Sequence, residues 1–100
     1  MKGIEFYKSL QKKYTKDGRL FYKNYSFKCW LEKSNGTESL QFNLKNSSKA
    51  IPKEWIIDAK NAENKKIIID RDWFNQTYKQ KNFNDCRASV LIWLLKNHKP

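Results

Sequence analysis

The sequence has few of the residues that build metal, redox or disulfide sites. Cys29 and Cys86 lie far apart with no Cys-x-x-Cys spacing, and the one histidine is His98, which we expect to fray at the chain end. This set is too small for a zinc site. We expect both cysteines to be reduced in a cytoplasmic protein, with a disulfide as the alternative. There is no phosphate-binding glycine loop or dinucleotide motif, so we expect no cofactor.

Long apolar runs are also missing. None approaches the ~20 residues of a membrane span, and the first residues lack the apolar core of a signal peptide, so we expect no membrane partner. Four Trp, five Tyr and six Phe provide too many apolar anchors for a disordered tail. We therefore expect the 100 residues to form one domain, 1–100, with a modest core.

Acidic residues are scarce. The chain has 21 Lys and Arg against 10 Asp and Glu, a formal charge of +11. Residues 1–28 carry eight cations and two acids (+6), residues 29–58 four and four (0), and residues 59–100 nine and four (+5). The excess therefore lies at the two ends of the chain, and it favours phosphates or an acidic surface as partner.

The N-terminal segment predicts a basic helix over residues 3–15. Phe6, Tyr7, Leu10 and Tyr14 recur at helical spacing, and lysines occupy the other face. A second helix over about 84–97 is apolar on most sides, as in a helix that packs deeply against a sheet.

Between these helices, residues 25–33 and 38–44 alternate apolar and polar side chains around Asn35-Gly36, a preferred pair for a two-residue hairpin turn. Pairing through that turn places Lys33 opposite Glu38. The same register sets the apolar side chains against one another on one face, as Leu31 with Leu40, Cys29 with Phe42 and Phe27 with Leu44.

The remaining segments are shorter. Residues 46–49 are expected to form a loop, and residues 66–70, with three consecutive Ile, a buried strand. Residues 52–62 favour a helix, with a short strand as the alternative. Asp72 is the expected cap of a short helix that follows.

Together these elements predict an α+β fold: a small antiparallel sheet built on a 25–44 β-hairpin, packed by an N-terminal basic helix and an apolar C-terminal helix. The residues that we expect in its core are Phe27, Cys29, Leu31, Leu40, Phe42, Leu44, Ile67, Ile69, Val90, Leu91 and Leu94.

When the alternation of residues 25–33 is continued backwards, Tyr22 and Asn24 join the second face of the hairpin, and the register sets Trp30 opposite Gln41. This second face is the surface that most suggests a function. It combines amides, a lysine and aromatic rings, which suit base stacking or groove contacts, and nearby cations suit phosphates. This favours a non-enzymatic domain that binds DNA or RNA. The predicted site consists of Lys12, Lys13, Lys16, Arg19, Tyr22, Lys23, Asn24, Lys28, Trp30, Gln41 and Asn43.

Other functions stay open. A small basic inhibitor or adaptor that docks on an acidic protein is one alternative. A metal-independent RNase toxin is another, for which Lys28, Arg71, Tyr78, Arg87 and His98 are available residue types.

A nuclease is a further alternative. Residues 55–60, Trp-Ile-Ile-Asp-Ala-Lys, resemble the second half of the PD-(D/E)xK nuclease motif. The resemblance implies a divalent metal held by Glu38 and Asp58, with Lys60 assisting attack by water. It requires residues 55–60 to lie on a strand.

Overall fold

The structure is a computed structural model that describes the backbone of residues 1–13, 19–22, 25–34, 36–44, 47–78 and 86–98, and the side chains of these residues except 19–34 and 43–48. The chain forms the predicted α+β fold, an antiparallel sheet built on the hairpin and packed by the first and last helices. In chain order the elements are α1 (Gly3–Lys13), β1 (Arg19–Tyr22), β2 (Tyr25–Ser34), β3 (Thr37–Leu44), β4 (Ser47–Pro52), α2 (Lys53–Asn64), α3 (Arg71–Thr77) and α4 (Cys86–Asn97).

The β2–β3 hairpin has the predicted register. Cys29 pairs with Phe42, Leu31 with Leu40 and Lys33 with Glu38. Ser34 pairs with Thr37, as the predicted two-residue turn requires, and Gly36 has φ +78°. A positive φ there is what this turn type requires, and glycine adopts it without strain.

The sheet is larger than the predicted hairpin. It has four strands in the order β1-β2-β3-β4, with antiparallel neighbours. The predicted loop over residues 46–49 is wrong for Ser47 to Lys49, because these residues begin β4. Their polar composition suggested a loop, but the strand is stabilised by Ile51, which pairs with Leu40 in the core.

The first strand changes one part of the predicted site. Tyr22 pairs with Tyr25, and Arg19 pairs with Lys28. The prediction that the alternation of β2 continues backwards through Tyr22 is therefore wrong, because Tyr22 belongs to a separate strand that pairs antiparallel with β2. Arg19 is the β1 residue that comes next to Lys28.

One core joins the sheet to the helices. Leu40 and Phe42, which we predicted to be buried, are fully inaccessible, and the predicted α4 residues Val90, Leu91 and Leu94 are also buried. The side chains of Phe27, Cys29, Leu31 and Leu44 lie outside the described part of the structure. Sequence analysis did not include the following residues in the core list: Phe6, Tyr7, Leu10, Ile51, Ile56, Ala59, Phe74, Ala88 and Leu95.

Residues 53–64 form a helix, α2, as favoured, and it packs against α1. The Gly3 N–H donates to Asn61 Oδ1 at 2.8 Å, and Asn64 Nδ2 donates to the Met1 carbonyl at 2.6 Å. The two helices approach each other so closely at Gly3 that a Cβ on this residue would collide with the Ile57 carbonyl oxygen.

The isoleucine segment is not a strand. Residues 67–69 lie outside any helix or strand, with Ile67 46% exposed, Ile68 77% exposed and Ile69 partly buried. The predictions of a buried strand over 66–70 and of Ile67 in the core are therefore wrong. The physical reason is the end of α2: Lys66 adopts φ +65°, its N–H donates to Glu63 O, and the Ile67 N–H donates to Ala62 O. This Schellman motif turns the chain away from the sheet.

The last two helices begin close to their predicted positions. Asp70, not Asp72, caps α3, because its Oδ1 accepts from the Trp73 N–H at 2.8 Å. Helix α4 is confirmed from Cys86, and residues 84–85 lie outside the described part. Among the helices that the structure describes, none has the length and apolar character to cross a bilayer.

Candidate functional site

Helix α1 presents a basic face. Phe6, Tyr7 and Leu10 are at most 1% exposed. Because these side chains fill one stripe of the helix, Lys8, Lys12 and Lys13 are left on the solvent side, and all three are exposed. Lys12 and Lys13 also lie in the last turn, where cations complement the helix dipole.

These lysines border a groove between α1 and the end of α4. The groove has a volume of about 530 Å³. Glu5 is the one acidic side chain in its lining, and Glu5 Oε1 accepts from the Lys2 N–H at 3.4 Å. Three cations against one carboxylate give the groove a positive potential, which attracts phosphate or carboxylate groups. Its lining consists of Met1, Glu5, Lys8, Ser9, Lys12, Lys13 and His98.

His98 forms the inner end of this groove. The expectation that it frays is wrong, because its side chain is only 5% exposed and its N–H donates to Leu94 O at 2.9 Å. The imidazole lies 2.8 Å from Ser9 Oγ through Nε2 and meets the Phe6 ring edge-on at a centroid distance of 5.2 Å. These contacts attach the end of α4 to α1.

The hydrogen bonds of Ser9 fix the protonation of His98. Ser9 Oγ donates its only proton to the Phe6 carbonyl at 2.6 Å, so it accepts from a protonated Nε2 of His98. Burial lowers the pKa of His98, and the positive charge of Lys13 lowers it further. A neutral imidazole whose Nε2 already carries a proton does not act as a base toward Ser9. The pair therefore has a structural role.

The polar face of the hairpin is visible on β3. Ser39 and Gln41 are half-buried and alternate with the buried Leu40 and Phe42, and Gln41 Nε2 donates to Ser39 Oγ at 2.8 Å. The backbone register pairs Trp30 with Gln41, as the sequence predicts.

The structure places the predicted site residues in three groups. The side chains of Lys12, Lys13 and Gln41 are described, and the two lysines come together with Lys8 and Ser9 at the groove. Sequence analysis left Lys8 out of the site, although its spacing of four from Lys12 places both on one helix face. Arg19, Tyr22, Lys28, Trp30 and Asn43 are located by their strand positions alone. Lys16, Lys23 and Asn24 lie outside the described residues.

Sequence analysis also missed an aromatic cluster around Trp55. Tyr78 stacks on the Trp55 ring at a centroid distance of 4.2 Å, and the Arg87 guanidinium lies 4.8 Å from the centre of that ring. Tyr78 Oη donates to Trp55 O at 3.3 Å. Burial raises the pKa of Tyr78, and the charge of Asp58 raises it further, so the phenol keeps its proton. These residues form a packing cluster. Tyr78 and Arg87 both pack against the Trp55 indole, and Tyr78, which keeps its proton, does not act as a base.

The nuclease interpretation is wrong because its residues lie on a helix. Asp58 and Lys60 are two positions apart in α2, where side chains at i and i+2 point in different directions, whereas on a strand they share a face. Lys60 Nζ pairs with Glu63 Oε1 at 2.7 Å, and Glu38 Oε2 pairs with Lys53 Nζ at 3.0 Å. The pattern therefore does not assemble a metal site.

No three His, Cys, Asp or Glu side chains within the described portion of the chain come together as metal ligands. No known family model, curated protein or solved structure matches the chain. The function must therefore be argued from the geometry and the charges of the molecule itself.

Proposed function

We propose that the protein is a nucleic-acid-binding domain that holds phosphates with the basic face of α1 and contacts bases or a groove with the β2–β3 hairpin. The observation that carries this proposal is the cluster of Lys8, Lys12 and Lys13, exposed side by side along a positively charged groove. We expect it to act without catalysis and in the cytoplasm, where Cys86 stays a free thiol.

The chemistry of the cluster favours phosphate. Each lysine ammonium is a compact charge with three donors, and several ammoniums exposed on one helix can each neutralise a phosphate of a nucleic-acid backbone. The net charge of +11 adds a long-range attraction that speeds the encounter. The polar side chains of Ser39 and Gln41, on the second face of the hairpin, are the described groups that we propose for contacts to base edges.

The salt dependence of binding tests the proposal. Binding of labelled DNA and RNA, single- and double-stranded, is followed by fluorescence anisotropy from about 50 to about 200 mM salt, a range over which phosphate contacts weaken steeply. We expect log K to fall linearly with log salt. Replacing Lys8, Lys12 and Lys13 by Gln should lower the slope by roughly 2 to 3, because about one counterion is released per lysine–phosphate contact.

A matched variant separates this cluster from net charge. Lys49, Lys65 and Lys96 are also exposed, and replacing all three by Gln removes the same charge from other elements. We expect a smaller loss of affinity from this control. Equal losses would show that charge acts without a defined site, and no salt-dependent binding to any of the four nucleic acids would contradict the proposal. Binding to an acidic protein instead would support the inhibitor alternative.

A substitution on the hairpin tests base contacts. Trp30→Ala should weaken binding without changing the salt slope, because a base contact releases no counterion. A variant that fails to fold would show that Trp30 belongs to the core, which circular dichroism detects.

A further inference from the structure

An exposed apolar segment joins α2 to α3. Ile67 is 46% exposed and Ile68 is 77% exposed. Across the side chains that the structure describes, the other large apolar residues with comparable exposure are Met1 and Ile4, on α1 and the segment before it. Because Ile67 and Ile68 are adjacent, they form one continuous apolar patch and are not isolated exposed side chains.

The backbone of this segment is also available. Over the described part of the chain, Ile68 and Ile69 make no backbone hydrogen bond, whereas the Ile67 N–H and the Asp70 carbonyl are already bonded inside the fold. A short stretch of β-branched residues with free N–H and C=O groups is a template for pairing with another strand.

A groove of about 500 Å³ runs beside the segment. Its apolar lining consists of the three isoleucines of the segment, Ile67 to Ile69, and two residues of α4, Ile92 and Leu95. Charged residues of both signs, Glu63 and Lys96, also line it. The groove therefore offers an apolar surface beside the exposed isoleucines, with polar residues alongside.

The order of charges identifies the partner. The segment reads Lys66-Ile67-Ile68-Ile69-Asp70. When two copies pair antiparallel about Ile68, each Lys66 comes opposite Asp70 of the other copy, and each Ile67 comes opposite Ile69. In this antiparallel pairing every charge faces an opposite charge and every isoleucine faces an isoleucine. Such self-complementarity fits a two-fold symmetric contact, in which both copies use the same patch. Asp70 can pair with Lys66 of the other copy because its side chain is exposed and one of its two oxygens, Oδ1, is sufficient to cap α3.

We propose that two copies of this chain associate through residues 66–70, paired antiparallel about Ile68, to form a weak symmetric dimer. In the pair, the two Ile68 residues exchange their N–H and C=O groups, which are the groups left unused in the monomer. The apolar side chains cover one another and the adjacent grooves. Because the patch is small, the dissociation constant is on the order of 100 µM.

The first test is the molar mass in solution. Analytical ultracentrifugation from micromolar to millimolar concentration should show a shift from 12.1 kDa toward twice that mass. Ile68→Lys should raise the dissociation constant by on the order of a hundredfold, because a two-fold contact carries the buried charge twice. The matched control is Ile4→Lys, which makes the same change at an exposed residue of α1 and should leave the dimer intact.

The second test fixes the register. In a chain with Cys29 and Cys86 replaced by Ser, Ile68→Cys should form an intermolecular disulfide under mild oxidation, because residues directly opposite in antiparallel strands lie within disulfide range. Asn64→Cys, at the exposed end of α2, should cross-link much less. A wild-type chain that stays monomeric at millimolar concentration, a dimer that survives Ile68→Lys, or equal cross-linking at both positions would overturn the proposal.

Discussion

At the scale of single residues, His98 shows how tertiary contacts reverse an expectation. Near the end of the chain a lone histidine is expected to fray, yet here it is 5% exposed and bonded to Ser9. Its burial depends on Phe6 and Ser9, which lie about ninety positions away in the sequence. Sequence periodicity within one helix carries no information about such a contact.

His98 gives the stability a pH dependence. Its pKa in the folded state lies below the ordinary value of 6.5. Well above that value neither state is protonated, and near and below it the unfolded chain takes up the proton first, so the free energy of unfolding falls as the pH drops below about 7. We expect His98→Gln, whose Nε2 can still donate to Ser9, to show a smaller fall in urea unfolding experiments. An identical fall would assign the effect to other groups.

Gly3 is the second residue whose role only the structure reveals. A methyl group at this position meets the Ile57 carbonyl and lies 2.9 Å from Asn61 Oδ1. We expect Gly3→Ala to lower the free energy of unfolding by about 1 to 3 kcal/mol, because α1 must move away from α2. Lys2→Ala, at the exposed neighbouring position, should have little effect. Equal denaturation midpoints for the two variants would contradict the close approach.

At the scale of elements, local sequence patterns predict the structure correctly where the information lies within one short segment, as in a helix stripe or in two strands joined by a tight turn. The hairpin register follows from the alternation on both strands and from Asn35-Gly36, and four of its predicted pairs are confirmed. The stripe of Phe6, Tyr7 and Leu10 likewise predicts the buried face of α1. The isoleucine segment was predicted wrongly because a strand forms only beside a neighbouring strand. The Schellman motif at the end of α2 turns residues 67–69 away from the sheet.

The end of α2 can be tested by a pair of substitutions. Lys66 adopts φ +65°, a conformation that costs roughly 1 kcal/mol in a residue with a Cβ and little in glycine. Lys66→Gly should therefore raise the free energy of unfolding by about 1 kcal/mol. Lys65→Gly removes the same charge at φ −87° and should lower it by a few tenths to about 1 kcal/mol. Thermal unfolding of both variants gives the comparison, and effects of the same sign would contradict this geometry.

At the scale of the whole molecule, the two proposed interactions respond to salt in opposite ways. Phosphate binding weakens as salt rises because the counterions released on binding enter a more concentrated salt solution, which lowers the entropy gained by their release. Dimerisation brings together two chains of charge +11. Added salt screens this repulsion, while it removes little from the two exposed Lys66–Asp70 pairs, which are weak, and leaves the apolar contact in place. We expect nucleic-acid affinity to fall and dimer affinity to rise between about 0.1 and 0.5 M salt. Anisotropy and ultracentrifugation in the same buffers measure the two effects, and parallel responses would contradict the assignment to separate surfaces.

The candidate site was partly predictable. Lys12 and Lys13 follow from the charge and period of the N-terminal helix, and Gln41 follows from the alternation of the hairpin. The groove that joins these lysines to Ser9 and His98 was not predictable, because it forms between helices at opposite ends of the chain. The sheet position of Arg19 was not predicted, because the alternation of side chains places Tyr22 on the same strand as Tyr25. In the structure Tyr22 belongs to β1, a separate strand that pairs antiparallel with β2 and places Arg19 opposite Lys28.

The sequence by itself determined the net charge, the fold class, the amphipathic first helix and the register of the central hairpin. The net charge follows from composition alone, and the other three features depend on periodicity and turn chemistry within about twenty neighbouring residues. The tertiary structure alone decided that Ser47 to Pro52 join the sheet, that His98 is buried and that Ile67 and Ile68 face solvent. Each of these outcomes depends on which distant segment of the chain supplies the contact, and the intrinsic propensity of a short segment does not predict that partner.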